Sequence, residues 1–168
     1  MPQLVLASSL NGLPVASIQD NAKVGVVRSA LIDTKSGNIM GMIVNVGLFL
    51  PVRFIAFDDI KDISRNGLVV QNKDEIVAIA DIAKAQEAYK KGFPLIGLKV
   101  KTKSGRRLGR VTDLSLSLQI GCVMQFYVSG LLSERIINYT KVISATKKGI
   151  TIEDDTLPVV GLPKFSTN

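Results

Sequence analysis

The sequence contains no histidine and no tryptophan, and its single cysteine is Cys122. Without histidine the usual neutral-pH proton shuttle and the commonest metal ligand are missing. One thiol can build neither an intramolecular disulfide nor a four-thiolate zinc site. Aromatic residues make up only 5% of the chain, which leaves few rings to stack nucleobases. No nucleophile elbow, P-loop or dinucleotide glycine loop is present. Chemistry is therefore not expected, no catalytic residue is assigned, and neither a cofactor nor a metal is called for.

Long apolar runs are missing as well. The uncharged stretch from Ser36 to Val52 is broken by Asn38, Asn45, several glycines and Pro51, and falls short of the roughly 20 apolar residues a membrane helix needs. It reads as two buried strands and a turn. The opening "MPQLVLASSLNGLPVA" has no basic segment before its apolar patch, so a first β-strand suits it better than a signal peptide. A cytoplasmic protein is the expectation.

What is present is enough apolar residue, 46% of 168, to build a packed interior, and a net charge of +7 that favours anionic partners. The charge is uneven. Residues 1–92 hold 10 Lys/Arg against 9 Asp/Glu, and residues 93–168 hold 11 against 5.

The dominant pattern is a repeat. Gly12-Leu13-Pro14-Val15 recurs 85 positions later as Gly97-Leu98-Lys99-Val100, and Gly25-x-Val27 recurs 84 later as Gly109-x-Val111. The strand from Gly37 to Val44 lies over that from Gly121 to Val128, and "RFIAFDDIKDISRNGLVV" from Arg53 lies over "RIINYTKVISATKKGITI" from Arg135. The offset changes only in loops, as a duplicated fold requires. Within each copy, short apolar runs alternate with the turns "KSGN", "RNG", "KSGR" and "KKG", where glycine permits tight hairpins. Small antiparallel barrels follow, since closure removes exposed edges.

Between the copies, "NKDEIVAIADIAKAQEAYKKG" carries a capping box, Asn72-x-x-Glu75, with Ile76, Ile79, Ala80 and Ala83 on one face and Gly92 as a stop. It predicts a helix of about 17 residues, roughly 25 Å long, able to pack across both barrels.

The stretch "GLPVASIQDNAKVGVVRSALIDTKSGNIMGMIV" resembles a PRC-barrel: a G-x-x-V opening strand, a G-x-V strand, a polar turn ending in glycine and an apolar strand. Both copies fit, from about Leu4 to Asp155, and the whole is similar to tandem PRC-barrel proteins of small-genome bacteria. The resemblance implies a mainly β fold of two PRC-type antiparallel barrels joined by one α-helix. Its segments are a first barrel at 1–72, a helix at 73–92, a second barrel at 93–155 and a flexible tail at 156–168. It also implies a binding module without catalytic residues. Relatives include a ribosome-maturation factor domain that docks on a small-subunit protein, and cell-division adaptors. The module is named for the cytoplasmic domain of the photosynthetic reaction-centre H subunit, whose membrane anchor is not expected here.

Three stretches are candidate sites. The basic run "KVKTKSGRRLGR" puts Lys99, Lys101 and Lys103 on one strand face with Arg106, Arg107 and Arg110 at or beyond the turn, a phosphate-contacting patch for RNA or a ribosomal surface. The plainer expectation is a solvated face that blunts an edge. Leu48, Phe49 and Leu50 could anchor a protein partner or a second copy in a homodimer. Capping the barrel end is the commoner fate of such a loop. Asp58, Asp59 and Asp62 lack the ligand density of a calcium loop and predict a solvated turn. Cys122 is expected as a small buried hydrophobe. The leading expectation is a protein-binding adaptor or scaffold, with RNA binding through the basic hairpin as the alternative.

Overall fold

The computed structural model describes residues 3–154; the expected tail at 156–168 lies outside them. The fold is mainly β, with two sheets and one α-helix. The first sheet is built from β2 (Pro14–Ser17), β3 (Ala22–Ile32), β4 (Ile39–Asn45), β5 (Arg53–Ala56), β6 (Ile60–Ser64), β7 (Gly67–Val70) and β8 (Val77–Ala78), in the order β6-β7-β2-β3-β4-β5-β8. The second holds β9 (Lys99–Thr102), β10 (Arg107–Ser117), β11 (Cys122–Ser129), β12 (Glu134–Asn138), β13 (Val142–Thr146) and β14 (Gly149–Ile152), in the order β12-β11-β10-β9-β14-β13. The short strand β1 (Leu4–Leu6) pairs with β10. In neither sheet do the terminal strands bond to one another. Each curls without a closing ladder, and in each a 3-10 turn, Phe57–Asp59 or Tyr139–Lys141, carries the chain round to the next strand.

The two sheets correspond strand for strand. Each has one parallel contact, Val15 opposite Leu68 and Val100 opposite Ile150. Each long hairpin has a register shift at the same place, after Val27 and after Val111. Gly12 and Gly97 both turn left-handed, at φ 90° and 93°, a conformation glycine adopts without steric cost. Their amides donate to Val27 and Val111 carbonyls at 2.8 Å in both halves. These shared constraints explain why the glycines survive in both copies of the sequence.

One cluster of buried apolar side chains runs through both halves, including Val15, Met42, Ile55 and Leu68 with Val100, Leu116, Phe126 and Ile150. Contact between the halves is reciprocal. Ile39 donates its amide to the Gly121 carbonyl at 2.7 Å, and Val123 donates to Gly37 at 2.9 Å. Phe57 packs on Gly121 while Tyr139 packs on Gly37. Matched residues exchange matched contacts, as in an isologous dimer interface.

The connector differs from the expected helix over 73–92. Asn72 does cap a turn, its Oδ1 accepting from the Asp74 amide at 2.9 Å, and the Glu75 carboxylate accepts from the Gln71 amide at 2.8 Å. The turn is a single 3-10 one, Lys73–Glu75. The chain then extends as β8 to cover the outer edge of β5, Ala78 opposite Arg53. Ile79 enters a second cluster with Leu31, Ile43, Phe54 and Ala85. Only Ala83–Lys91 is α-helical, α1. Satisfying an open sheet edge outweighs local helix propensity here. Gly92 ends α1 because a β-carbon there would collide with the Ala88 carbonyl.

Candidate functional site

Two surfaces stand out, one apolar and one basic. The apolar one is the β4–β5 loop. Leu48, Phe49 and Leu50 are 88%, 102% and 55% exposed, so the loop does not cap the sheet as the commoner expectation had it. The reason is local: Phe49 adopts a left-handed φ of 63° at the tip of the turn, which carries the loop's side chains away from the sheet. A bulky residue in this region costs about 1–2 kcal/mol. The matching loop between β11 and β12 presents Leu131 and Leu132, 97% and 92% exposed. Both loops carry Gly-Leu followed by a large apolar residue, the signal in the sequence for the second one. The structure places all five apolar side chains in solvent.

The basic surface lies on the second sheet. β9 alternates exposed and buried residues, so Lys99 and Lys101 face out while Val100 and Thr102 face in. With Arg107, Arg110 and Lys148 they line a cavity of about 540 Å³. Ser144, Thr146 and Thr151 add hydroxyls, and no carboxylate lines it. Arg110 is oriented by a 2.9 Å bond from Nη1 to the Gly97 carbonyl. Lys148, which sequence analysis missed, arrives through the parallel pairing of β14 with β9. The turn "KKG" was the only trace of it in the sequence.

Lys103 and Arg106 do not line this cavity. They flank the β9–β10 turn, where the Lys103 amide donates to Ile152 at 2.8 Å and the Arg106 amide to the Thr102 hydroxyl at 3.1 Å. There Asp154 accepts from the Ser104 amide and hydroxyl, bonds that hold its carboxyl below the usual range, with the Lys103 charge adding to them. The six expected cations thus divide into four in the cavity and two at the β9–β10 turn, of which Lys103 acts on Asp154.

Positions matching the five cavity cations in the first half are Pro14, Ala16, Lys23, Val26 and Asn66. Only one of these, Lys23, is a cation, so the same strand framework forms with four of the five positions uncharged.

Of the acidic run, Asp58 and Asp59 fall on the turn after β5, the first exposed and the second half-buried, whereas Asp62 is exposed on β6 opposite Val69 rather than on a turn, because the chain enters the β6–β7 hairpin at Ile60. No group of three or more His, Cys, Asp or Glu among the described residues could hold a metal ion. Cys122 is half-buried rather than buried, because it sits at the junction of the halves opposite Asn38, its Sγ 3.7 Å from Met124 Sδ.

Curled sheets with a shared strand order, a reciprocal junction and surface sites without a catalytic cluster define a small β-barrel module. Residues 2–76 match the family model of the PRC-barrel domain. No curated protein matches the chain. No helix among the described residues is long and apolar enough to cross a membrane.

Proposed function

We propose that the chain is a non-enzymatic, cytoplasmic protein-binding adaptor, a fused pair of PRC-type barrels arisen by duplication. The strand-for-strand correspondence of the sheets supports a second barrel beside the first, with β8 added to the first sheet and β1 to the second. One observation carries the adaptor reading: matched loops of both halves hold apolar side chains in water. Exposed apolar clusters of this kind mark binding sites, and large apolar anchors that become buried dominate interface energies. Leu48, Phe49 and Leu50 would anchor one contact and Leu131 and Leu132 the other. The partner is another protein; a second copy forming a homodimer is the special case. The test is co-purification of the tagged chain and of its Phe49→Ser and Leu132→Ser variants from the native host. A stoichiometric partner retained by the parent and lost from the folded variants supports the reading, and equal recovery by all three rejects it.

A second reading is binding of RNA or a ribosomal surface at the cavity of Lys99, Lys101, Arg107, Arg110 and Lys148. The observation favouring it is that four of the five matched positions in the first half are uncharged, Lys23 being the exception. Five unneutralised cations around one concavity concentrate positive potential.

A further inference from the structure

The two halves differ at one matched edge. On the second sheet, beyond the end of β9, β10 carries β1 in antiparallel register, Leu4 opposite Ser117, Val5 opposite Leu116 and Leu6 opposite Ser115. That strand leaves Ser115 and Ser117 only 1% and 0% exposed. The matching edge of β3 runs from Leu31 to Asp33. β2 pairs with β3 only as far as Val26, so among the described residues no strand covers Ser29–Ile32 on that side. The segment equivalent to β1 by the repeat, Tyr89–Lys91, forms the last turn of α1, and a helix cannot continue a β-ladder. Between the β3 edge and α1 a cavity of about 610 Å³ remains, walled by Leu31 and Ile32 on one side and by Ala88, Phe93 and Leu95 on the other.

The chemistry of this groove is legible from its walls. They are mainly apolar, with Arg28 as the one charged side chain, and Arg28 makes no ion pair among the described residues. In the second half the segment after β1 is fixed by Asp113, whose carboxylate accepts from both the amide and the hydroxyl of Ser8. The residue matching Asp113 in the first half is Ser29, next to Arg28. The matched position therefore carries no charge, and the charged side chain beside it is the cation Arg28. A strand running the way β1 runs would pass Asp33, Ile32 and Leu31 in turn and bring its C-terminal side to Arg28.

We propose that this groove takes an extended peptide segment of a partner protein, added antiparallel to β3 as β1 adds to β10. Aliphatic side chains at alternate positions enter the apolar wall, and a carboxylate on the C-terminal side meets Arg28. Strand addition gives affinity through main-chain bonds and specificity through alternate side chains. The proposal rests on the adaptor reading only in taking a protein as ligand; it uses a face separate from the Phe49 loop.

The probe is the synthetic peptide acetyl-Gln-Leu-Val-Leu-Ala-Ser-Asp-amide, which copies the β1 segment and ends in a carboxylate, titrated into the isotopically labelled full chain and followed by amide NMR shifts. Saturable shifts at Ser29–Asp33 and at Ala88–Leu95, with Ser115–Ser117 unmoved, are expected. Arg28→Glu, a surface change, should weaken binding about tenfold, as should Ala88→Phe, which fills the groove from the helix side. Absence of saturation, shifts confined to Ser115–Ser117, or unchanged affinity in Arg28→Glu would overturn the proposal. Retained binding of the partner through Phe49 in the Arg28→Glu chain separates failure here from failure of the adaptor reading.

Discussion

Tyr139 lies across Gly37 from the opposite half so closely that a β-carbon on the glycine would stand 2.5 Å from Cζ of the ring. The ring is backed in turn by Phe126, centroid to centroid 5.6 Å. The mirror contact, Phe57 over Gly121, would bring a β-carbon within 2.8 Å of Cε1. Both glycines are left-handed, at φ 76° and 72°, so a side chain is opposed twice, by conformation and by space.

Gly37→Ala should therefore destabilise the protein by about 2 kcal/mol or more, since the left-handed backbone alone costs an alanine about 1–2 kcal/mol. Truncating the ring should remove the steric part. In a double-mutant cycle with Tyr139→Ala, chemical denaturation should show a coupling of at least about 0.5 kcal/mol, of the sign that makes the double variant better than additive.

Phe49 makes the opposite case. It is 102% exposed at a φ of 63°, so its ring contributes no burial while its backbone is strained. Phe49→Gly should relieve about 1 kcal/mol of that strain, partly offset by the added freedom of glycine in the unfolded chain. Equilibrium unfolding should find the variant as stable as the parent or slightly more so, a result that a capping role for the ring would reverse.

The basic cavity predicts a salt signature. If its five cations contact the phosphates of a single-stranded RNA, log K should fall with log salt at a slope of about −3 to −4. Arg107→Glu should flatten that slope. Fluorescence anisotropy between low and physiological salt reads it directly.

Tyr139 also makes stability depend on alkaline pH. Its removal from water, with the nearby Asp33 charge, holds its hydroxyl above the usual value of 10.0. The folded state thus keeps a proton that the unfolded chain releases, and its contribution to stability is intact below about pH 10 and declines above it. Tyr139→Phe should remove this component of the alkaline decline. At the acid end, Asp20 is held low by the Ser17 hydroxyl and then the Lys73 amide, and Asp154 by the Ser104 amide and then its hydroxyl. Both favour the folded state above their ordinary value near 3.8 and lose that preference as pH falls through and below it. Asp20→Asn should blunt the acid limb of a stability-against-pH curve.

These contacts also show what the sequence could and could not disclose. The duplication was visible because Gly12 and Gly97, or Val27 and Val111, obey the same backbone demand in each half, and such demands are local. The alternation of Lys99, Lys101 and their buried neighbours was visible for the same reason. Lys148 was hidden because only a parallel ladder between distant strands brings it to Lys99. The helix was overextended because Asn72 and Glu75 do form local caps, while the force that bends the chain after them is the open edge of β5, invisible from residues 72–92 alone. The reciprocal rings on Gly37 and Gly121 were hidden too, since each glycine meets an aromatic far along the chain, Tyr139 and Phe57 respectively, and contacts of such span leave no periodic trace.

The exchange of β1 onto β10 has a consequence for how the molecule is made. Ser8 emerges during synthesis well before Asp113, the residue that will hold it, which follows 105 positions later. Until then the earliest strand has no mate, while a sheet edge compatible with it, on β3, is already complete beside it. Completion of the native pairing of β1 therefore waits on the second half of the chain, a closure of long sequence span.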